Sequence, residues 1–239
     1  MVRIKPAGDQ AVTIEFGDSI DEAVSARVIT LERSLKNDPL AGITETVPTY
    51  RSLLVFYDPM VLSGRDLARH LEARVDAATT PGTADARHFT VPVCYRGADA
   101  LDLYAVAAER GMDPDDVVAL HTGATFRVFM IGFAPGFAYL GGLPEALETP
   151  RLAEPRQRVP AGAVGIGGRQ AAINSLPGPS GWRYIGRTPL RLFDPERSDP
   201  AFFRAGDIIR FAAIPPEEMA DLDRRAALGE MIVEAEAPW

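Results

Sequence analysis

Gly132-Phe133-Ala134-Pro135-Gly136-Phe137-Ala138-Tyr139-Leu140-Gly141-Gly142-Leu143 is the stretch on which the fold turns. Three aromatic residues stand there among four glycines and a proline. It opens a segment, 132–189, with 11 glycines and 8 prolines among 58 residues. Short β-prone pieces such as Val164-Gly165-Ile166 and Arg183-Tyr184-Ile185 are interleaved with them. Glycine forfeits backbone entropy in a helix and proline lacks the donor the helix needs, so few helices survive that density. The segment reads as a compact β-barrel with long, tightly turned loops.

Working outward, Phe126 to Ile131 is a short buried strand, and His88 to Tyr95 alternates Phe89, Val91 and Val93 on one side. Between them lie two helices. One runs from about Leu101 to Arg110 and stops at Gly111; the next has Asp113 as N-cap, Pro114 at its first turn and Asp116 at the third position. Downstream, Asp207 to Phe211 is a strand, Pro215 to Leu228 a helix and Met231 to Glu234 a closing strand.

The first 80 residues carry the order ββαββα, which predicts two helices packed on one face of an antiparallel sheet. Ser19 with Glu22 marks the start of one helix and Asn37-Asp38-Pro39 its end; Ser63 with Asp66 starts the other. Thr79 to Ala86 is small and polar, includes a Pro-Gly pair and has no periodicity. It divides the chain into an α+β domain at 1–80, a linker at 81–87 and a β-barrel domain at 88–239.

At 46% hydrophobic and 24% charged, the composition is that of a globular protein. No apolar run reaches the roughly 20 residues of a membrane span. Met1 to Pro6 lacks the apolar core of a signal peptide. A single cysteine, Cys94, suits a reducing cytosol, and a net charge of −8 disfavours nucleic acid and anionic membrane as partners. The charge is uneven. Residues 151–191 hold seven arginines (151, 156, 158, 169, 183, 187 and 191) against the one acid Glu154. Either that window is a solvated surface or it builds a site for a carboxylate or phosphate, which guanidinium grips in bidentate fashion.

Several chemistries are excluded. The two lysines, Lys5 and Lys36, lie in no glycine-rich loop, so a Walker-type phosphate loop is absent. Gly162, Gly165, Gly167 and Gly168 miss the dinucleotide pattern. His70, His88 and His121 have no metal-ligand spacing. Gly178 to Trp182 imitates a nucleophile elbow but lacks its final glycine and following helix. What remains is three pieces: the aromatic turn at 132–143, the proline-stiffened arginines from Pro150 to Pro160, and Gly181 to Pro189 with Arg183 and Arg187 on a strand. Rigid loops fix where charged heads point, which suits a developing anion; the aromatic rings either plug the barrel or wall a ligand from water.

These pieces, Gly132 to Leu140, Pro150-Arg151 through Arg158-Val159-Pro160-Ala161-Gly162, and Gly181-Trp182 to Pro189, together resemble the family of the B-type 5-oxoprolinase subunit (PxpB). That family is also called allophanate hydrolase subunit 1-like, and it includes the KipI inhibitor of a sporulation histidine kinase. The likeness extends to Tyr50-Arg51-Ser52, Tyr57-Asp58-Pro59, Val91 to Tyr95 and Ala205-Gly206-Asp207. It departs at Ile173-Asn174-Ser175, where family sequences often read Ile-Tyr-Pro, and at Ser180, where they read glycine.

The resemblance implies a cyclophilin-like barrel for 88–239, and ATP-dependent opening of 5-oxoproline to glutamate through a phosphorylated lactam. ATP and Mg²⁺ would be the cofactors, with the C-type and A-type 5-oxoprolinase proteins as partners; the chain alone is not expected to be active. Phosphoryl transfer needs charge stabilisation and alignment more than a protein nucleophile. Arg158, Arg187 and His121 are accordingly the catalytic candidates. Gln170, Tyr139, Phe137, Trp182, Arg151, Arg156 and Arg51 are the substrate-binding candidates, and no metal ligand is expected. The alternatives are a KipI-like kinase inhibitor or a component of a related urea- or amide-metabolising complex.

Overall fold

A computed structural model of the chain describes residues 2–77 and 86–238. It falls into two compact units, Met1–Asp85 and Ala86–Trp239. Most of the expected linker at 81–87, up to Asp85, lies outside the described residues.

The first unit has the predicted element order: β1 (Arg3–Pro6), β2 (Ala11–Glu15), α1 (Glu22–Asn37), β3 (Ile43–Pro48), β4 (Ser52–Tyr57) and α2 (Gly64–Ala77). The antiparallel sheet runs β1-β2-β4-β3. Val12, Ile14, Leu53 and Val55 alternate inward and bury Val28, Leu31 and Leu35 of α1 with Leu67 and Leu71 of α2. Ser63 and Asp66 cap α2: the Asp66 amide donates to Ser63 Oγ at 3.1 Å. In α1 the cap is Asp21, which accepts from the Val24 amide at 3.0 Å, in place of the expected Ser19. Both side chains can cap, and the helix takes the acceptor nearest its first apolar turn.

In the second unit, β5 (His88–Val93), α3 (Leu103–Arg110), α4 (Pro114–Gly123) and β6 (Phe126–Ile131) precede the glycine-rich segment. That segment supplies β7 (Ala138–Gly141), β8 (Arg156–Val159), β9 (Ala163–Gly167), β10 (Gln170–Ile173), β11 (Gly178–Ser180) and β12 (Arg183–Arg187). β13 (Ile208–Ala213) and α5 (Pro216–Ala227) complete the unit. Seven strands form one sheet in the order β12-β9-β10-β7-β6-β13-β5. Its two ends meet just beyond β5: the Cys94 amide donates to the Arg187 carbonyl at 2.8 Å, and the Arg187 amide returns a bond at 3.0 Å. Gly186 permits this seam, because a Cβ there would stand 2.6 Å from Val93 Cγ1 and 3.0 Å from the Cys94 carbonyl. The sheet is thus a nearly closed barrel, with β8 and β11 as a separate two-stranded piece.

One expectation fails. Residues Met231 to Glu234 form no strand; only Glu236 bridges to His88, on the free edge of β5. Val233 is the one buried side chain there, while Met231 and Glu234 stay exposed, so no alternating face holds a ladder in register. Among the described residues no helix is long and apolar enough to cross a membrane.

Candidate functional site

Strand alternation gives the barrel sheet two apolar faces. Ala138, Leu140, Val164, Ile166, Ala171, Ile173 and Ile185 point into the main core with α3 and α4. Their neighbours Ala163, Ala172, Trp182 and Tyr184 point outward and, with Phe137 and Val159, form a second cluster on which Tyr139 packs. On this outer face β9 presents Gly165 and Gly167, and both are needed as glycine. A Cβ at Gly165 would lie 2.9 Å from the Tyr184 ring, and one at Gly167 2.8 Å from the Trp182 ring. The rings pack directly against bare backbone.

Three aromatic side chains come together here. The ring centroids of Phe137 and Tyr139 are 4.7 Å apart, Tyr139 and Trp182 6.0 Å, and Phe137 and Trp182 6.3 Å, all tilted. Arg151 lies over Trp182, its guanidinium carbon 4.5 Å from the ring centroid. Burial raises the Tyr139 phenol above its ordinary pKa, and the Arg151 charge opposes the rise. Gln170 begins β10 on the same face, opposite Gly167, and its Nε2 is buried with no hydrogen-bond partner. Phe133 extends the cluster toward solvent at 5.5 Å from Phe137; it is 77% exposed and holds a left-handed φ of 70°. A buried amide donor, a stacked guanidinium and an aromatic wall suit a small planar ligand with an anionic group.

The arginine-rich window is largely neutralised from outside itself. Arg156 meets Asp102 at 2.5 Å, Arg169 Glu148 at 3.0 Å, Arg183 Glu109 at 3.2 Å and Arg191 Asp194 at 3.2 Å. Arg187 is clamped between Asp99 at 2.5 Å and Asp223 at 2.6 Å. Burial works against its charge, but hydrogen bonds to Asp223 and Asp99 outweigh that and raise its pKa above the ordinary arginine value. Among the described residues, Arg151 and Arg158 are the two of the seven with no carboxylate partner.

The structure therefore gathers Phe137, Tyr139, Arg151, Gln170 and Trp182 on one face. Arg156 stands beside it, tied to Asp102, which also accepts from the Tyr184 amide at 2.7 Å. Arg158 is exposed on β8, whose Val159 joins the outer cluster. Arg187 lines a different cleft of about 260 Å³ with Gly162, Ser175 and Asp223. His121 is fully buried in the main core, with Nδ1 2.8 Å from Tyr95 Oη, and burial holds its pKa at about 3. Arg51 belongs to the first unit, where it donates to the Gly17 carbonyl at 2.8 Å.

Sequence reading missed two members of the outer face. Tyr184 stands two residues beyond Trp182, a spacing that already puts both on one side of β12. Ser180 Oγ lies 2.8 Å from Tyr184 Oη and accepts from the Trp182 amide at 3.3 Å. Asn174 donates to the carbonyls of Pro160 and Leu176. Both departures from the family pattern thus carry polar contacts that tie loops to the barrel. Among the described residues no group of three His, Cys, Asp or Glu side chains is placed to hold a metal ion.

Residues 2–203 match the family described as carboxyltransferase domain, subdomain C and D. A Bacillus subtilis protein, named as the B subunit of 5-oxoprolinase, is 36% identical over 226 residues, covering 90% of this chain and 94% of the relative. The chain belongs to the 5-oxoprolinase B-subunit family. A second relative of that name, from Escherichia coli O157:H7, is 39% identical over 213 residues, covering 88% of this chain and 94% of the relative. The solved structure of TTHA0988 superposes with a TM-score of 0.75 at 36% identity, covering 91% of this chain and 42% of that longer one. For this member of the 5-oxoprolinase B-subunit family, the outer face draws on all three of the motifs that carry the resemblance, 132–140, 150–162 and 181–189.

Proposed function

We propose that this chain is the B-type component of an ATP-dependent 5-oxoprolinase, acting in the cytosol with C-type and A-type partner proteins, and that its outer barrel face is one wall of the substrate pocket. The observation that carries this reading is Arg151: a guanidinium laid on Trp182, with no carboxylate partner among the described residues, beside a buried amide donor left unpaired at Gln170.

5-Oxoproline presents a carboxylate and a lactam on a small flat ring. Arg151 takes the carboxylate, and its stacking on Trp182 fixes the plane of approach. Gln170 donates to the lactam carbonyl oxygen, which pairs the otherwise unsatisfied amide and polarises the carbonyl. Tyr139, half-buried, covers the ring, with the buried Phe137 and Trp182 packed behind it, and keeps bulk water from the activated carbonyl. ATP supplies the phosphoryl group that turns the lactam into an electrophile open to water. Arg158, exposed and without a carboxylate partner, is the residue of this chain suited to phosphate charge. Among the described residues no carboxylate cluster is placed for Mg²⁺, so no step is assigned to a metal held by this chain. Arg187 and His121 receive no chemical role in this reading: two carboxylates saturate one, and the core encloses the other.

The test mixes the purified chain with its C-type and A-type counterparts and follows ADP release and glutamate formed from 5-oxoproline. Turnover that requires all three proteins is expected. Absence of turnover with all three present, or turnover undiminished without this chain, contradicts the proposal.

A further inference from the structure

Between β12 and β13 the chain makes a wide loop, 188–207, and the extended segment 229–236 lies against it. Two adjoining cavities open there, of about 390 and 150 Å³, and both are lined by Arg197, Phe202 and Met231. The larger falls within the range of roughly 300–1,000 Å³ in which small-molecule sites occur. Phe89, Phe202, Val233 and Met231 give it an apolar wall, and Met231 is 65% exposed at the cavities it borders.

Most charges around the larger cavity are paired, apart from Arg197 and the exposed Glu234. Arg87 pairs with Asp207 at 2.5 Å and Arg204 with Asp199 at 2.5 Å; of the smaller cavity's groups, Arg191 pairs with Asp194 and Glu230 with Arg225. Arg197 differs. Its Nη2 donates to the carbonyls of Arg191 and Pro200, while Nε is buried without a partner and no carboxylate lies within ion-pair distance among the described residues. Its guanidinium sits 5.7 Å over the Phe202 ring. Burial lowers its pKa from the ordinary arginine value, and the Asp194 and Asp199 charges recover only part of the loss.

We infer that this cleft is a second binding site, separate from the outer barrel face, for a small monocarboxylate with an aromatic or branched aliphatic body. Arg197 is the one cation of the cleft without an ion-pair partner among the described residues, which suits a single negative charge; Asp194, Asp199 and Glu234 oppose any anion, and a dianion such as phosphate about twice as strongly as a monocarboxylate. The apolar wall of Phe89, Phe202 and Val233 receives the body of the ligand.

The experiment titrates the full chain with benzoate, benzamide and inorganic phosphate, following line shifts of the Met231 methyl by NMR. Benzoate is expected to bind at least roughly ten-fold more tightly than benzamide or phosphate, the difference a charge-assisted pair supports. Arg197→Gln should weaken benzoate by a similar factor. Because that change also disturbs the loop carbonyls, Met231→Trp serves as a second variant, with binding read by calorimetry: it fills the cavity mouth from an exposed position and should likewise weaken benzoate. Equal binding of benzoate and benzamide, preference for phosphate, or benzoate binding unchanged in both variants overturns the inference.

Discussion

At the scale of single residues, burial sets the charge state of His121 and ties it to stability. His121 stacks on Phe211 at 4.6 Å and packs on Phe126 at 4.9 Å, with Tyr95 Oη on Nδ1. Its pKa of about 3 lies below the ordinary 6.5, so between these values the unfolded chain takes up a proton that the folded chain refuses. Stability therefore falls as pH drops below about 6.5, with a slope from this group of up to about 1.4 kcal/mol per unit, and the contribution ends near pH 3. Urea midpoints at pH 7 and 5 test it: the double variant His121→Leu/Tyr95→Phe, which removes both members of the pair, should lose less stability on acidification than the parent. Equal losses would contradict the assignment. Candidate residues were legible in the sequence as residue types, but their partners were not. Asp99, Asp102 and Glu109 lie 88, 54 and 74 positions from the arginines they neutralise, and only the folded, nearly closed barrel brings them within reach.

At the scale of elements, β9 shows how local composition sets the site. The piece Val164-Gly165-Ile166 reads as β-prone, and its glycine, with Gly167, leaves the bare floor on which Tyr184 and Trp182 lie. Gly167→Ala places a methyl 2.8 Å from the Trp182 ring and 3.1 Å from Arg151 Nε, so it should lower stability by about 1–3 kcal/mol and alter the near-UV circular dichroism of Trp182. Gly178→Ala, on β11 with nothing within 4 Å, is the control and should change stability by less than about 0.5 kcal/mol. If the two variants behave alike, the bare-floor account is wrong. Long periodic elements such as α1 and α2, and strands bounded by turn residues such as β4 and β6, were readable from their patterns. The expected strand at Met231 to Glu234 was not formed, because an apolar-polar pattern specifies a strand only when a neighbouring edge offers a matching ladder, and here the edge of β5 takes Glu236 alone.

At the scale of the whole molecule, the arginine-rich window and the acidic remainder of the chain are one system. Acids drawn from before and after the window neutralise Arg156, Arg169, Arg183, Arg187 and Arg191 and thereby pin α3, α5 and the loops to the barrel. In the proposed function, what is left uncompensated marks where the substrate anion would bind. On the outer face that residue is Arg151, and the proposed pocket needs a second polypeptide over it, because the aromatic wall is open to solvent at Phe133. The most direct measurement is kcat/KM for 5-oxoproline in the assembled three-protein enzyme with Arg151→Ala in place of the parent chain. The account predicts a fall of roughly ten- to a hundred-fold, the loss of one charge-assisted contact, with the assembly intact by sedimentation. Turnover within about two-fold of the parent, a difference worth only about 0.4 kcal/mol of transition-state stabilisation, would contradict it.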